Sequence, residues 1–356
     1  MMRIGRYDLV TEFCNTGAGQ CRWAFATCDG EDYFLKEFLR PTYPIVGGPG
    51  SAATRSRKLL ECEEFEKRHR GMMRELKKLS VAGGNLIVAR EFFRSGAKFY
   101  KVTEKINVSG VQTEEIHLIP FDNQVVLAVA VAHSVHVLHR INLVHGDLKP
   151  QNVLLKETVK GYQTAKLIDF DDSFRAGNPP PPDDLVGDVV YYSPETYSYV
   201  AEAVGSETLR EPADVFALGI LFGEYFTGRR PEVYDSTGRQ FATCAAGVVE
   251  GGTVRTGLEV SRPDLDALLK DMLAKDPDAR PDIGQVMHRL KEAKRNATHP
   301  ASSVVTPGPR LNGSLLVPSS DRSSRVSGRP VDHPTGAPRL RGSLAPDRRG
   351  RIDGEA

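Results

Sequence analysis

The stretch His145-Gly146-Asp147-Leu148-Lys149-Pro150-Gln151-Asn152 decides how the rest of the chain is read. It holds an acid, a lysine two residues on, and an amide three further on. Seventeen residues after Asn152 a second acid, Asp169, stands in Leu167-Ile168-Asp169-Phe170-Asp171. Such a set suits a loop facing a phosphate donor. The first acid accepts a nucleophile's proton, the lysine neutralises the transferring phosphoryl, and the amide oxygen and the second acid hold a metal. Phosphoryl transfer needs little covalent help, so positioning and charge neutralisation carry it. The plainer alternative is a polar loop between buried strands, since 153–155 and 166–168 have the character of core strands. The spacing and the presence of both acids favour the chemistry.

Upstream of this stretch the pattern is mostly β. Residues 7–13, 22–27 and 32–38 are short strand-like runs separated by glycine turns at Gly17–Gly19 and Gly30. Residues 41–57 are rich in Pro, Gly and Ser and read as a long loop. Residues 58–79 place Phe65, Met72, Leu76 and Leu79 at helical spacing, and strands are expected near 86–93 and 98–105. From 121 onward the periodicity is helical, most clearly over 121–140, 213–227 and 263–293. A small β-rich unit followed by a larger helical one is an α+β arrangement of two lobes. Ligand clefts commonly form where such lobes meet.

With these motifs in place, the chain from about residue 7 to residue 295 resembles the protein kinase superfamily. The resemblance implies a bilobal kinase-like fold: an N-lobe over 1–104 and a C-lobe over 105–296. H-G-D-L-K-P-Q-N resembles the catalytic loop and D-F-D the metal-binding D-F-G, which implies Asp147 as catalytic base, Lys149 as phosphate-neutralising lysine, and Asn152 and Asp169 as Mg²⁺ ligands. ATP is the implied co-substrate. Lys36, in Tyr33-Phe34-Leu35-Lys36, sits where the family places its ATP lysine; in isolation it could be a snorkelling edge residue. Gly17 and Gly19 keep the first two glycines of G-x-G-x-x-G, with Arg22 at the third, and let backbone N–H groups approach phosphates. A bare G-x-G is also common in hairpin turns. Glu75, in Glu75-x-x-x-Leu79, is the implied carboxylate partner of Lys36, with Glu66 as alternative. Thr103 and Glu104 stand at the gatekeeper and first hinge positions, and Leu154 joins the nucleotide-contacting set. Further matches are S-P-E at 193–195, D-V-F-A-L-G at 214–219 and D-P-D-A-R-P at 276–281, which imply a structural ion pair between Glu195 and Arg280.

Four departures from the family pattern carry expectations. Gly146 replaces the arginine that clamps a phosphorylated activation loop, and Ser173 is the only hydroxyl residue between Asp171 and Gly187. Activity without activation-loop phosphorylation is therefore expected. Asp171 replaces the D-F-G glycine, and with Asp172 is expected to be a solvated or capping carboxylate rather than a further metal ligand. Asp188 replaces a threonine and could pair with Lys149. Phe34 and Ala24 stand where the family has alanine and valine over the adenine ring, so volume gained at one offsets volume lost at the other.

The expected function is an ATP-dependent Ser/Thr protein kinase acting on protein hydroxyls, since the lysine of D-L-K-P-x-N favours Ser/Thr acceptors. Two alternatives stay open. H-G-D-L-x-x-x-N and I-D-F-D-D also resemble the aminoglycoside and choline kinases, which are small-molecule phosphotransferases; a non-catalytic pseudokinase module is the other. Composition bounds the partners. With 47 Lys+Arg against 46 Asp+Glu, the net charge of +1 argues against binding nucleic acid or membrane through bulk charge. The apolar runs 125–132 and 220–222 are far shorter than the ~18 residues of a spanning helix, and the first residues show no signal-peptide core. Five cysteines without a C-x-x-C pair indicate neither a disulfide framework nor a zinc site, so a cytoplasmic protein is expected. Residues 297–356 hold 8 Pro, 7 Gly and 9 Ser with no aromatic, and read as a disordered tail. Its serines Ser323, Ser324 and Ser327, beside Arg322 and Arg325, are candidate autophosphorylation sites.

Overall fold

The computed structural model describes residues 2–15, 21–45, 51–108, 110–157 and 163–298. Gly17, Gly19 and the tail beyond Thr298 lie outside the described residues.

The N-terminal part is one antiparallel sheet of β1 (Arg3–Ile4), β2 (Tyr7–Leu9), β3 (Cys21–Cys28), β4 (Glu31–Phe38), β5 (Glu91–Ser95) and β6 (Lys98–Glu104), in the order β1-β2-β3-β4-β6-β5. Asp29 and Gly30, at φ 53° and 81°, turn β3 tightly into β4. Because side chains alternate along a strand, register decides which face each one joins. Ala24, Leu35 and Val102 lie opposite one another and are fully buried with Tyr7 and Tyr100. The other face carries Trp23, Phe25, Phe34, Lys36, Lys101 and Thr103, since Trp23 pairs with Lys36, Phe25 with Phe34, Lys36 with Lys101 and Phe34 with Thr103.

Helix α1 (Ala52–Gly83) crosses between β4 and β5. It starts six residues before the expected 58, inside the stretch read as loop, because the Ser51 hydroxyl caps it by accepting from the Thr54 N–H at 3.1 Å. Gly84, at φ 57°, ends it. Cys62, Phe65, His69 and Met73 pack against Phe38, Phe92 and Phe99. The strand expected from 86 begins only at Glu91. Asn85–Ile87 instead bonds to Leu167, whose N–H donates to the Asn85 carbonyl at 2.8 Å and whose carbonyl accepts from Ile87 at 2.9 Å. That link ties the segment after α1 to the segment leading into Asp169.

The C-terminal part comprises α2 (Phe121–His139), β7 (Leu143–Val144), β8 (Val153–Glu157), β9 (Gln163–Leu167), β10 (Phe174–Arg175), α3 (Pro194–Val200), α4 (Pro212–Thr227), β11 (Glu232–Tyr234), α5 (Cys244–Val249), β12 (Thr253–Arg255), α6 (Pro263–Met272) and α7 (Ile283–Thr298). Three small antiparallel pairs form: β7 with β10, β8 with β9, and β11 with β12. The expected helix over 263–293 is two helices, separated by the segment holding Pro277 and Pro281. Helix α7 continues to Thr298, past the expected lobe end at 296. Helices α2 and α4 are apolar on nearly all sides and form the core. Among the described residues, α2 is the one helix long and apolar enough to cross a membrane by length and composition. Counting unbroken apolar runs missed it, because Asn123, His133 and His136 interrupt them. Val125, Leu127, Val131, Val135 and Leu138 are at most 1% exposed, which is the burial of a core helix.

Candidate active site

The loop after β7 is held from below by one residue of α4. Asp214, in the first turn of that helix and 2% exposed, accepts the His145 N–H at 2.8 Å and the Gly146 N–H at 3.1 Å, and lies 3.0 Å from His139 Nε2. His145 is fully buried, its Nε2 3.1 Å from the Ile168 carbonyl and its ring against Phe170. Gly146 has φ 80°, and a Cβ there would sit 2.7 Å from the Asp172 carbonyl oxygen and 3.1 Å from the Phe174 ring. The arginine missing at this position therefore has no room in the loop as folded.

These anchors fix the position of Asp147, which is 8% exposed. Its Oδ2 meets Lys149 Nζ at 2.7 Å and accepts from Asn152 Nδ2 at 2.8 Å, while Oδ1 accepts the Asp188 N–H at 3.3 Å. Asn152 Nδ2 also donates to the Asp147 carbonyl, and the Asn152 carbonyl accepts from the Ile168 N–H at 3.0 Å. With its nitrogen bound to Asp147, the Asn152 amide has its oxygen as the end that can ligate. If Mg²⁺ were bound, Asn152 and Asp169 would offer it the hard oxygen donors it takes. The Asp188 carboxylate does not reach Lys149; it caps the turn at Val189–Tyr191 by accepting the Val190 N–H.

On the sheet side, Lys36 Nζ donates to both oxygens of Asp169, at 3.0 and 2.8 Å, and lies 2.8 Å from Asp171 Oδ2. Asp171 is 11% exposed and is also ion-paired with Lys101, with His69 Nδ1 at 3.6 Å. It is neither solvated nor a cap, which corrects the sequence expectation. The left-handed backbone falls on Asp169, at φ 58°, and not on Asp171, so no backbone demand for glycine exists at 171.

Charge and burial set the protonation states here. Burial works against charge on Lys36, but Asp169 chiefly outweighs it and the Lys36 pKa rises. Burial likewise opposes the charge on Asp169, yet Lys36 and Lys101 bring its pKa below the usual value. Burial draws the Lys101 pKa down, Asp169 works against that and Lys36 adds to it, while the ion pair with Asp171 favours the charged form. His69 is kept neutral, its pKa well below 6.5 through burial and then Lys101. Asp172 is pushed up to about 6 by burial, then by Asp169 and Asp147.

Two expected residues are not where the sequence reading put them. Glu75 faces Lys78 at 3.3 Å and Arg175 at 3.5 Å, and Glu66 pairs with Arg70 at 2.7 Å; neither contacts Lys36. On α1 the buried stripe that faces the sheet carries His69 instead of a glutamate. Ala24 is on the face of the sheet opposite Lys36, so it cannot offset Phe34 over a shared ring; a one-residue slip in a strand reverses the face. Phe34 is packed by Trp23, stacked at 5.5 Å, and by Phe25 edge-on at 6.2 Å. Thr103 lies beside Phe34 on the Lys36 face, Glu104 bonds Arg90 at 3.2 Å, and Leu154 is half-buried between the buried Val153 and Leu155. Below the site, Arg280 grips Glu195 through two bonds of 2.7 and 2.8 Å, both side chains buried.

The sequence reading missed Asp214, Lys101, His69 and the ion-pairing of Asp171. Asp214 was read only as the first residue of the D-V-F-A-L-G match. Lys101 had a signal: it is two residues before Thr103 and so shares its face.

The protein kinase domain model matches residues 53–290, and the chain belongs to the protein kinase family. It is 28% identical over 167 residues to the serine/threonine-protein kinase STY46 of Arabidopsis thaliana, covering 47% of this chain and 26% of that protein. It is 29% identical over 219 residues to the serine/threonine-protein kinases drp72 of Corynebacterium efficiens, covering 61% of this chain and 38% of that one. With the putative serine/threonine-protein kinase R436 of Acanthamoeba polyphaga mimivirus it shares 26% identity over 174 residues, 47% of this chain and 56% of that one. The chain thus matches between about a quarter and somewhat over half of these curated relatives' lengths.

Proposed function

We propose that this chain is an ATP-dependent Ser/Thr protein kinase that works without activation-loop phosphorylation. The observation that carries the reading is the convergence of Lys149 and Asn152 on Asp147 Oδ2, at 2.7 and 2.8 Å, with Asp169 and Lys36 paired across the cleft. ATP with Mg²⁺, held by Asn152 and Asp169, would supply the phosphoryl group and neutralise its charge. Lys36 binds and orients the phosphates. Asp147 holds the acceptor hydroxyl and takes its proton, and Lys149 offsets the negative charge that gathers beside it. The Ser/Thr acceptor class is supported by the names of the relatives and by Lys149 itself.

Independence from activation-loop phosphorylation is supported by two contacts. Gly146 leaves no side chain to clamp a phosphate, and the Ser173 hydroxyl is buried and donates to the His145 carbonyl at 3.0 Å.

The test incubates the protein with labelled ATP and Mg²⁺, beside Asp147→Asn, with a basic protein, an aminoglycoside and choline as acceptors. Phosphate is expected on protein Ser and Thr, with turnover falling about 10²–10⁴-fold in the variant. Tail serines 323, 324 and 327 are the autophosphorylation sites to look for by mass spectrometry. Transfer to the small molecules alone overturns the acceptor class, and equal activity in Asp147→Asn overturns the mechanism. Phosphatase treatment that lowers turnover by removing phosphate from 171–187 overturns the activation claim.

A further inference from the structure

The charges around Lys36 come from four separate segments: Lys36 on β4, Lys101 on β6, Asp169 and Asp171 after β9, with the His69 ring from α1 against them. The Lys36 and Lys101 side chains are each 15% exposed and that of Asp171 is 11% exposed. Lys36 and Lys101 are directly opposite in the β4–β6 register, so both ammonium groups come off the same face of the sheet. Two like charges at that spacing need a carboxylate between them, and Asp171 is the residue that touches both. Every other acid that a helix could offer is elsewhere: Glu75 is on Arg175 and Lys78, Glu66 is on Arg70, and Glu61, Glu63 and Glu64 are exposed. Helix α1 meets the sheet through rings instead, with His69 stacked on Phe92 at 5.0 Å and Phe65 against Phe38 at 5.1 Å.

We propose that Asp171 is the positioning carboxylate of Lys36, with Lys101 as its counter-ion, in place of a glutamate on α1. The proposal rests on the kinase reading above, and assigns the means by which that site keeps its lysine aimed. Two carboxylates hold Lys36 in the present arrangement. A metal drawing on Asp169 would leave Asp171 still attached to Lys36, and Lys101 keeps Asp171 from being an unpaired buried charge once that happens. The clamp therefore belongs to the segment that carries Asp169, and needs no carboxylate from α1.

The experiment compares Asp171→Asn, Lys101→Met, the double variant and Glu75→Gln. In the protein without nucleotide, each of the first two lowers the melting temperature, and the double variant lowers it by less than their sum, because removing half of a buried pair strands the other charge. Affinity for ATP·Mg²⁺ by calorimetry falls about tenfold or more in Asp171→Asn and in the double variant, as the ion pair that aims the lysine is lost. Glu75→Gln stays within about twofold of wild type, as an exposed pair should. In turnover assays KM for ATP rises while KM for the protein acceptor is unchanged, which a general loosening would not produce. The double variant, with both charges gone, keeps a folded protein in which the affinity loss can be read. Additive melting shifts, wild-type ATP affinity in Asp171→Asn, or an equal loss in Glu75→Gln would each overturn the assignment. A wild type that binds no ATP·Mg²⁺ ends the kinase reading and this role with it. ATP bound normally by Asp171→Asn ends this role alone.

Discussion

The loop at 145–152 and the charged cluster around Lys36 meet at the segment that carries Ile168 and Asp169, yet they are built in opposite ways. The loop is contiguous in sequence. Its geometry is set by backbone groups, with the N–H of His145 and of Gly146 bound to the two oxygens of Asp214 and the Asn152 amide folded back on Asp147. The pocket is discontiguous, drawn from residues 36, 69, 101, 169 and 171, and held by side-chain charge. A backbone-held motif constrains residue types at fixed spacing, so it is legible along the chain. A charge-held cluster tolerates a carboxylate from any element that can reach, so only folding says which one is used.

The strongest test of the loop is Gly146→Arg. A left-handed φ and a Cβ 2.7 Å from a backbone oxygen predict a loss of about 2–5 kcal/mol in chemical denaturation, from strain and overpacking together. A variant as stable as wild type would show the loop to be less tightly specified than the pocket. Asp214→Asn comes next. One amide oxygen cannot serve two N–H groups and His139 as a carboxylate does, so about 1–3 kcal/mol is lost, together with turnover.

The smallest effect lies where the two regions meet, at Asp172. Its folded pKa of about 6 is above the usual 3.8, so the folded protein binds more protons than the unfolded chain between those values. The stability it contributes is present below about pH 4 and lost as pH rises through about 6. Asp172→Asn should therefore gain on the order of 1–2 kcal/mol over wild type at pH 7 and almost nothing at pH 4. Melting curves at the two pH values check this, and an equal gain at both would refute the placement of Asp172 among Asp147 and Asp169.

Much of the fold was legible for the same reason as the loop. The alternation in β3 and β4 and the apolar character of α2 and α4 are local signals, and the structure bears them out. Where reading failed, a single residue decided the outcome. Ser51 starts α1 inside a stretch whose Pro and Gly content looked like loop, since a cap acts through one hydroxyl and leaves composition unchanged. Ala24 was assigned as the position where the family has valine over the adenine ring, and the β3–β4 register places it on the far side of the sheet. Glu75 matched a motif, but helix phase turns it toward Arg175, and the sheet-facing stripe through Phe65 and His69 does not include it.

By itself, then, the sequence determined the two-lobed α+β architecture and the residue set of the 145–152 loop, because strand alternation, helix periodicity and Asp147-x-Lys149-x-x-Asn152 are short-range patterns set by backbone geometry. Tertiary structure decided the partner of Lys36, the face of Ala24 and the anchoring of the loop on Asp214. Each depends on which distant segments pack together, and burial makes an unpaired charge costly enough that whichever carboxylate arrives there is held.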